Sequence, residues 1–129
     1  MRALLDALAD YLDTELTLYA PVKVGNLDSS TDAICIRQAP SPDGPRYLSG
    51  RRLRYINFQL LAKSEDQQQV LDAMELMSEA LELSNGDIVV PDFEFIKCEV
   101  TTETNWVEET STNQHIYTAL FQCQLIRKG

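Results

Sequence analysis

One segment constrains the fold more than any other: residues 51–83, where an alternating run of residues leads directly into an amphipathic helix pattern. After Arg54 every second residue up to Ala62 is apolar, which predicts a long strand with one face on the core. Ser64 and Gln67 then form a capping-box pattern. Apolar residues follow at helical spacing, at Val70, Leu71, Met74, Met77 and Leu81. We therefore predict a strand followed by a helix that ends near Leu83.

The other patterns complete an α+β fold. Apolar residues recur at helical spacing over residues 3–14, which predicts an N-terminal helix. Leu16–Val24 is either an edge strand or an extended arm, because Pro21 cannot donate to a central ladder. Further strands are predicted at Ala33–Gln38, Phe93–Thr102 and His115–Arg127. The order α-β-β-β-α-β-β predicts one domain over residues 1–129, with a mostly antiparallel sheet of four to five strands packed against two helices.

Two polar segments are predicted to be loops. Ala39–Gly50 contains three of the five prolines and two of the five glycines, so it cannot continue a strand. Glu103–Asn113 is a polar segment that contains one exposed-looking residue, Trp106, and it would join the last two strands as a long hairpin connection. Loops of this length are often functional. Before the second loop, alternation predicts that Ile96, Cys98 and Val100 share one face.

The charge of the chain excludes several partners. A net charge of −9 disfavours non-specific binding to nucleic acid and to anionic membranes. No stretch of 18 apolar residues is present, so no transmembrane span is predicted. Asp6 and Asp10 interrupt the apolar residues at the N-terminus, which argues against a signal peptide. We expect a soluble protein without a membrane partner and without sequence-specific contacts to nucleic acid.

The charge is unevenly distributed along the chain. Residues 1–63 carry a net charge of +1, and residues 64–129 carry −10. Four arginines cluster in the first half, at Arg46, Arg51, Arg52 and Arg54. They either protect the start of an edge strand while remaining in water, or form a positive patch that meets a negative patch on the next copy in head-to-tail association. Nucleic-acid contact is a third reading, but the acidity of the chain opposes it.

Trp106 also has two interpretations. A lone tryptophan in a polar segment either covers part of the core or anchors an interface, because tryptophan is enriched in binding hot spots. We assign Arg46, Arg51, Arg52, Arg54 and Trp106 as candidate residues of a protein–protein interface.

The sequence contains no motif for catalysis, metal binding or cofactor binding. It has no glycine-rich phosphate loop, no HExxH, no GxSxG and no zinc spacing. Cys35, Cys98 and Cys123 are far apart in sequence and are predicted to be buried, reduced thiols. His115 lies at a strand end with no nucleophile tied to it by motif. We predict a protein that is not an enzyme and has no cofactor.

These features together resemble the tail terminator (tail completion) proteins of long-tailed bacteriophages, which are also known as minor capsid proteins. The resemblance spans nearly the whole chain. It rests on the N-terminal helix ALLDALADYLD, the strand and loop AICIRQAPSPDGPR, and the segment RRLRYINFQLLAKSEDQQQVLDAMELMSEAL. In that family a strand with an Arg-then-aromatic pattern leads into K-S-x-D and a capped helix, and two strands close the sheet.

The resemblance implies a non-enzymatic virion protein. Such a protein forms a ring, a hexamer in this family, on the end of the tail tube, stops tube elongation and provides the head-joining surface. Its partners would be copies of itself, the tail tube protein and a head completion or connector protein. It would be located at the head–tail junction of the virion, and in the bacterial host cytoplasm during assembly. The alternatives are another head–tail connector or minor capsid component, or a small cytoplasmic α+β binding module.

Overall fold

The computed structural model describes residues 2–39, 53–84 and 87–127. The predicted loop Ala39–Gly50, apart from Ala39 itself, lies outside the described residues, as do Arg46, Arg51 and Arg52. The elements are α1 (Arg2–Glu15), β1 (Val22–Val24), β2 (Ala33–Gln38), β3 (Leu53–Ser64), α2 (Gln67–Glu82), β4 (Phe93–Glu109) and β5 (His115–Arg127). The α+β class and the order α-β-β-β-α-β-β are confirmed.

The five strands form one sheet in the order β1-β2-β3-β5-β4. Only the pairing of β1 with β2 is parallel; the other three pairings are antiparallel. β1 is an edge strand that begins directly after Pro21, as the missing proline N–H requires. Gly25 ends it at φ +122°, a backbone conformation that favours glycine. The long central strand β3 pairs with β5 from Leu53 to Ser64.

Both helices pack on the same sheet face and cover one large core. The predicted face of β3 is confirmed, with Ile56, Phe58, Leu60 and Ala62 all buried. Phe58 lies opposite Phe121 in the β3–β5 ladder, and their rings stack with centroids 5.1 Å apart. The helices contribute Leu4, Leu8 and Leu12 from α1 and Val70, Met74, Met77 and Leu81 from α2. No helix in residues 2–39, 53–84 and 87–127 is long and apolar enough to cross a membrane.

The start of α2 differs from the predicted capping box. Asp66, not Ser64, is the N-cap, and its side chain accepts a hydrogen bond from the backbone N–H of Gln69. Ser64 is still part of β3, where it pairs with His115. Its hydroxyl donates to Asp32 and accepts from the N–H of Asp66. Ser64 therefore stabilises the connection between β3 and α2. The helix begins two residues later than predicted.

Replacing Asp66 with alanine is expected to lower the free energy of unfolding by about 1 kcal/mol, because an N–H of the first turn of α2 loses its acceptor. Urea unfolding followed by circular dichroism measures this loss. The matched control is Glu65→Ala, which removes an exposed carboxylate one residue earlier and should change stability by less than about 0.5 kcal/mol. Equal losses in the two variants would contradict the assignment of the cap.

β4 differs most from the sequence prediction. The predicted loop Glu103–Asn113 is wrong for most of its length, because β4 continues through Trp106 to Glu109. β4 has 17 residues and β5 has 13, and the ladder absorbs the difference at four register shifts. One shift lies between Phe95 and Lys97 and displaces Ile96. The core face therefore carries Phe95 and Cys98, with Val100 packed against it, so the prediction is right for Cys98 and Val100 and wrong for Ile96.

Candidate interaction surface

The end of β4 extends past the covered part of the sheet as an exposed strand. Its last seven residues, 103–109, are exposed except for the half-buried Thr104. Trp106 is 54% exposed and Val107 is 44% exposed. Glu103 and Glu108 lie near these residues in sequence, and Glu108 pairs with Ile116 on the sheet face away from Tyr117, so the strand end carries its side chains on both faces. We refer to Glu103, Trp106, Val107 and Glu108 as the Trp106 surface.

The base of this surface is fixed by the folded core. Trp106 lies opposite Tyr117 of β5, which belongs to the main core on the helix side of the sheet. The Tyr117 hydroxyl accepts a hydrogen bond from the side chain of Gln67 at the start of α2. Directly opposed residues have Cβ atoms about 4.5–5.5 Å apart, so the indole lies beside a tethered tyrosine. The exposed tryptophan is thus paired with a residue that contacts both the core and the start of α2.

The end of the hairpin is a tight turn rather than a long loop. The backbone N–H of Thr110 donates to the carbonyl of Gln114, and Asn113 takes a left-handed conformation at φ 63°. Asparagine is one of the few residues that tolerate this region. Beyond the turn, Nε2 of His115 lies 3.6 Å from Oε1 of Glu109. These contacts hold β4 and β5 together as far as their last pair, Glu109 and His115.

The surface is acidic. The sequence contains no lysine or arginine between Lys97 and Arg127, but it contains four glutamates in that interval. Lys97 pairs with Glu99 at 2.6 Å, near the covered part of the strand. Within the described ranges, no lysine or arginine forms an ion pair with Glu103 or Glu108. The Trp106 surface therefore combines an exposed apolar centre with negative charge, which suits a basic partner.

Of the four predicted arginines, only Arg54 is described. It lies near the start of β3 on the core side, half-buried, with its guanidinium carbon 5.8 Å from the centre of the Phe93 ring. This cation–π geometry gives Arg54 a packing role. β3 lies between β2 and β5, so the interpretation that the arginines begin an edge strand is wrong for Arg54.

The structure separates Arg54 from Trp106. Arg54 shares a row of the sheet with Leu125 and Phe95, whereas Trp106 shares a row with Tyr117 and Ala62. Eight residues of β3 separate these rows, which at about 3.3 Å per residue is roughly 26 Å. Of the predicted interface residues that the structure describes, Arg54 and Trp106 therefore lie toward opposite ends of the sheet and do not form one site within a subunit.

Sequence reasoning found Trp106 but placed it in the wrong kind of element. It did not single out Val107 or the exposed apolar side chains of Leu76, Leu83 and Val89. Residues 101–109 show no alternation because both faces are in water, so periodicity carries no signal there. Their content of threonine, valine and tryptophan, which are favoured in strands, was the available signal.

A second polar cluster is centred on Lys63 of β3, which shares a ladder row with Ile116 and Glu108, and this cluster is structural. Lys63 is only 7% exposed, and its ammonium donates to the backbone carbonyl of Asp28 at 2.8 Å. The hydroxyl of Tyr19 donates to the carbonyl of Lys63 at 3.0 Å. Burial, with a smaller contribution from Asp32, raises the pKa of Tyr19 well above its usual value. These contacts attach residues 19 and 28 to the sheet.

A shallow groove of about 360 Å³ separates residues 17–19 from α2. Its carboxylates are engaged in the helix, because Asp66 caps α2 and Asp72 accepts from the side chain of Gln68. Across residues 2–39, 53–84 and 87–127, no group of three or more His, Cys, Asp or Glu side chains is arranged to hold a metal ion. The two carboxylates that line the groove are therefore already hydrogen-bonded within α2.

Comparison with known proteins gives a likeness in fold. No protein-family model matches the sequence, and no curated protein matches it. Among solved structures, the chain is similar to a chain in the virion of a native gene transfer agent (GTA) particle. The TM-score is 0.59 at 12% sequence identity, and the match covers 92% of this chain and 84% of the other. At this identity the likeness shows a shared fold that extends over almost the whole molecule.

Proposed function

We propose that this chain is a non-enzymatic structural component of a phage-like virion, and specifically a tail terminator. In this role it forms a ring, a hexamer by family resemblance, on the end of the tail tube, stops elongation and provides the head-joining surface. Its partners are then copies of itself, the tail tube protein and a head completion protein, at the head–tail junction. The observation that carries the proposal is the likeness to a virion chain across 92% of this sequence.

The acidic Trp106 surface and the arginine cluster of the sequence support self-association. A ring requires that one surface of a subunit meets a different surface of the next. The Trp106 surface supplies an acidic strand end with an exposed indole, and the sequence supplies a basic cluster, Arg46, Arg51 and Arg52, shortly before β3. Charge complementarity of this kind sets orientation and the rate of encounter. Arg54 contributes to this cluster through its contact with Phe93 more than as a free charge.

Truncating Trp106 tests this proposal. We expect the wild-type protein to form an assembly several times the mass of the monomer, measured by size-exclusion chromatography with light scattering over a range of concentrations. Trp106→Ala should weaken each contact by about 2 kcal/mol, roughly 30-fold, because an exposed indole at an interface centre is a typical hot spot. The matched control is Val89→Ala, which truncates an exposed apolar side chain outside the strands.

The outcomes separate the candidate functions. A wild-type protein that stays monomeric at every concentration, both alone and mixed with a tail tube protein, favours the alternative of a small cytoplasmic binding module. A Trp106→Ala variant that assembles like the wild type removes the Trp106 surface from the interface. An assembly that binds a capsid connector but not a tail tube favours the alternative of another head–tail component.

A further inference from the structure

Two of the three cysteines face each other across the last pair of strands. Cys98 of β4 and Cys123 of β5 are 25 residues apart in sequence, yet they are direct partners in the antiparallel ladder. Directly opposed residues have Cα atoms about 4.5–5.5 Å apart, and a disulfide spans Cα distances of about 4.4–6.8 Å. Both side chains belong to the helix-side core and are almost completely buried. The backbone register thus meets the main geometric requirement for a disulfide.

Cys35 provides an internal contrast. It lies on β2, on the other face of the sheet, where it packs with Leu61 and Ile116 in a small separate cluster. Its ladder partner is Leu61 rather than a cysteine. The sheet therefore separates one thiol from the other two, and it permits one pairing among the three.

We propose that Cys98 and Cys123 are a disulfide-forming pair, which closes by exchange with a small-molecule disulfide such as oxidised glutathione when the protein leaves a reducing compartment. One protein thiolate attacks the small disulfide, forms a mixed disulfide and releases one small thiol. The second protein thiolate then attacks the protein sulfur of the mixed disulfide and releases the other. In total, the two cysteines lose two protons and two electrons, and the small disulfide is reduced to two thiols.

The same burial makes closure slow. Burial, followed by the adjacent Cys98 thiol, raises the pKa of Cys123 well above its usual value, so little of the attacking thiolate exists at neutral pH. The oxidant must also reach the pair, which requires β4 to separate locally from β5. β4 is an edge strand, and register shifts interrupt its ladder with β5, so we expect this opening to occur there. Exchange should accelerate with rising pH and with urea below the unfolding transition.

Closure would join the edge strand to β5 covalently. The bond lies between the covered start of β4 and the exposed Trp106 surface, so it would hold the base of the exposed hairpin without occupying its end. A disulfide that closes a loop of this length typically stabilises a domain, which corresponds here to a rise in Tm on the order of 10 °C.

Thiol trapping on the full chain tests the proposal. The protein is incubated with oxidised glutathione at pH 8 in low urea, free thiols are alkylated, and peptides are mapped by mass spectrometry. We expect a Cys98–Cys123 bond, an alkylated Cys35, and a rise in Tm that dithiothreitol reverses. The Cys35→Ser variant should behave like the wild type, whereas Cys98→Ala and Cys123→Ala should form no internal bond.

Three results would overturn the proposal. The first is a bond that involves Cys35, and the second is a stable mixed disulfide that never closes. The third is a full set of free thiols after the protein has been held in urea within its unfolding transition and returned to native buffer with the oxidant. Because urea separates β4 from β5 in the last measurement, the oxidant can reach both thiols. A missing bond there would then mean that the geometry of the folded pair does not permit it. A cysteine variant that fails to fold is replaced by the valine substitution, and the wild-type mapping remains decisive.

Discussion

Replacing Phe58 with alanine is expected to lower the free energy of unfolding by about 3–5 kcal/mol. The ring is completely buried in the middle of β3, and it stacks on Phe121 with an angle of 8° between the ring planes. Truncation removes this contact and leaves a cavity at the centre of the sheet, under both helices. Domains of this size are stable by only about 5–15 kcal/mol, so the loss is a large fraction of the total. Urea unfolding followed by tryptophan fluorescence and circular dichroism measures it.

A control and a coupling experiment make this prediction specific. Leu76→Ala on α2 removes a similar apolar side chain that is 46% exposed, and it should cost less than about 1 kcal/mol. The double variant with Phe121→Ala should show a coupling energy of about 0.5–1.5 kcal/mol between the two rings. A loss below about 1 kcal/mol for Phe58→Ala would mean that the stacked pair does not organise the core.

Reversing Arg51 and Arg52 to glutamate is expected to abolish self-association while the monomer stays folded. Under the proposed function these arginines meet the acidic Trp106 surface of the next copy, and each reversal turns an attraction into a repulsion. Arg54 is left unchanged, because a glutamate there would lose the contact with Phe93 and destabilise the monomer itself. Light scattering reports assembly, and the thermal transition of the monomer reports folding.

A charge swap provides the strongest check of the arginine prediction. Adding Glu103→Lys and Glu108→Lys to the reversed chain restores opposite charges on the two surfaces and should restore assembly. The control Arg2→Glu changes the charge by two at the exposed start of α1 and should assemble normally. Raising the salt should weaken the wild-type assembly, because the Debye length is only about 8 Å at physiological ionic strength. Normal assembly of the Arg51/Arg52 reversal at low salt would refute the proposed contact.

Prediction from sequence succeeded where one side of an element is in water and the other is in the core. β3 and α2 are examples, because the alternation after Arg54 and the stripe from Val70 to Leu81 follow directly from one-sided burial. The cap of α2 was misassigned because Ser64 and Asp66 are both good capping residues. The choice depends on the pairing of Ser64 with His115, which is a tertiary contact.

The end of β4 and the cysteine pair could not be predicted for a different reason. A strand with both faces in water has no hydrophobic period, so residues 103–109 look like a loop in sequence. The pairing of Cys98 with Cys123 depends on the register of the ladder, and extra residues in β4 shift that register. The alternation predicted from Ile96 onward therefore gave the wrong face at Ile96 and the right face at Cys98 and Val100.

The two outer strands of the sheet also limit edge-to-edge pairing of strands between copies of this protein. β1 has three residues and follows a proline, and β4 is irregular at four places along its ladder. Neither offers the long, straight row of backbone donors and acceptors on which another strand could align. Strand-by-strand growth into fibrils is thereby disfavoured, even when many copies are concentrated together. Copies of the protein therefore associate through side chains. Single substitutions can change these side chains without altering the pairing of the strands.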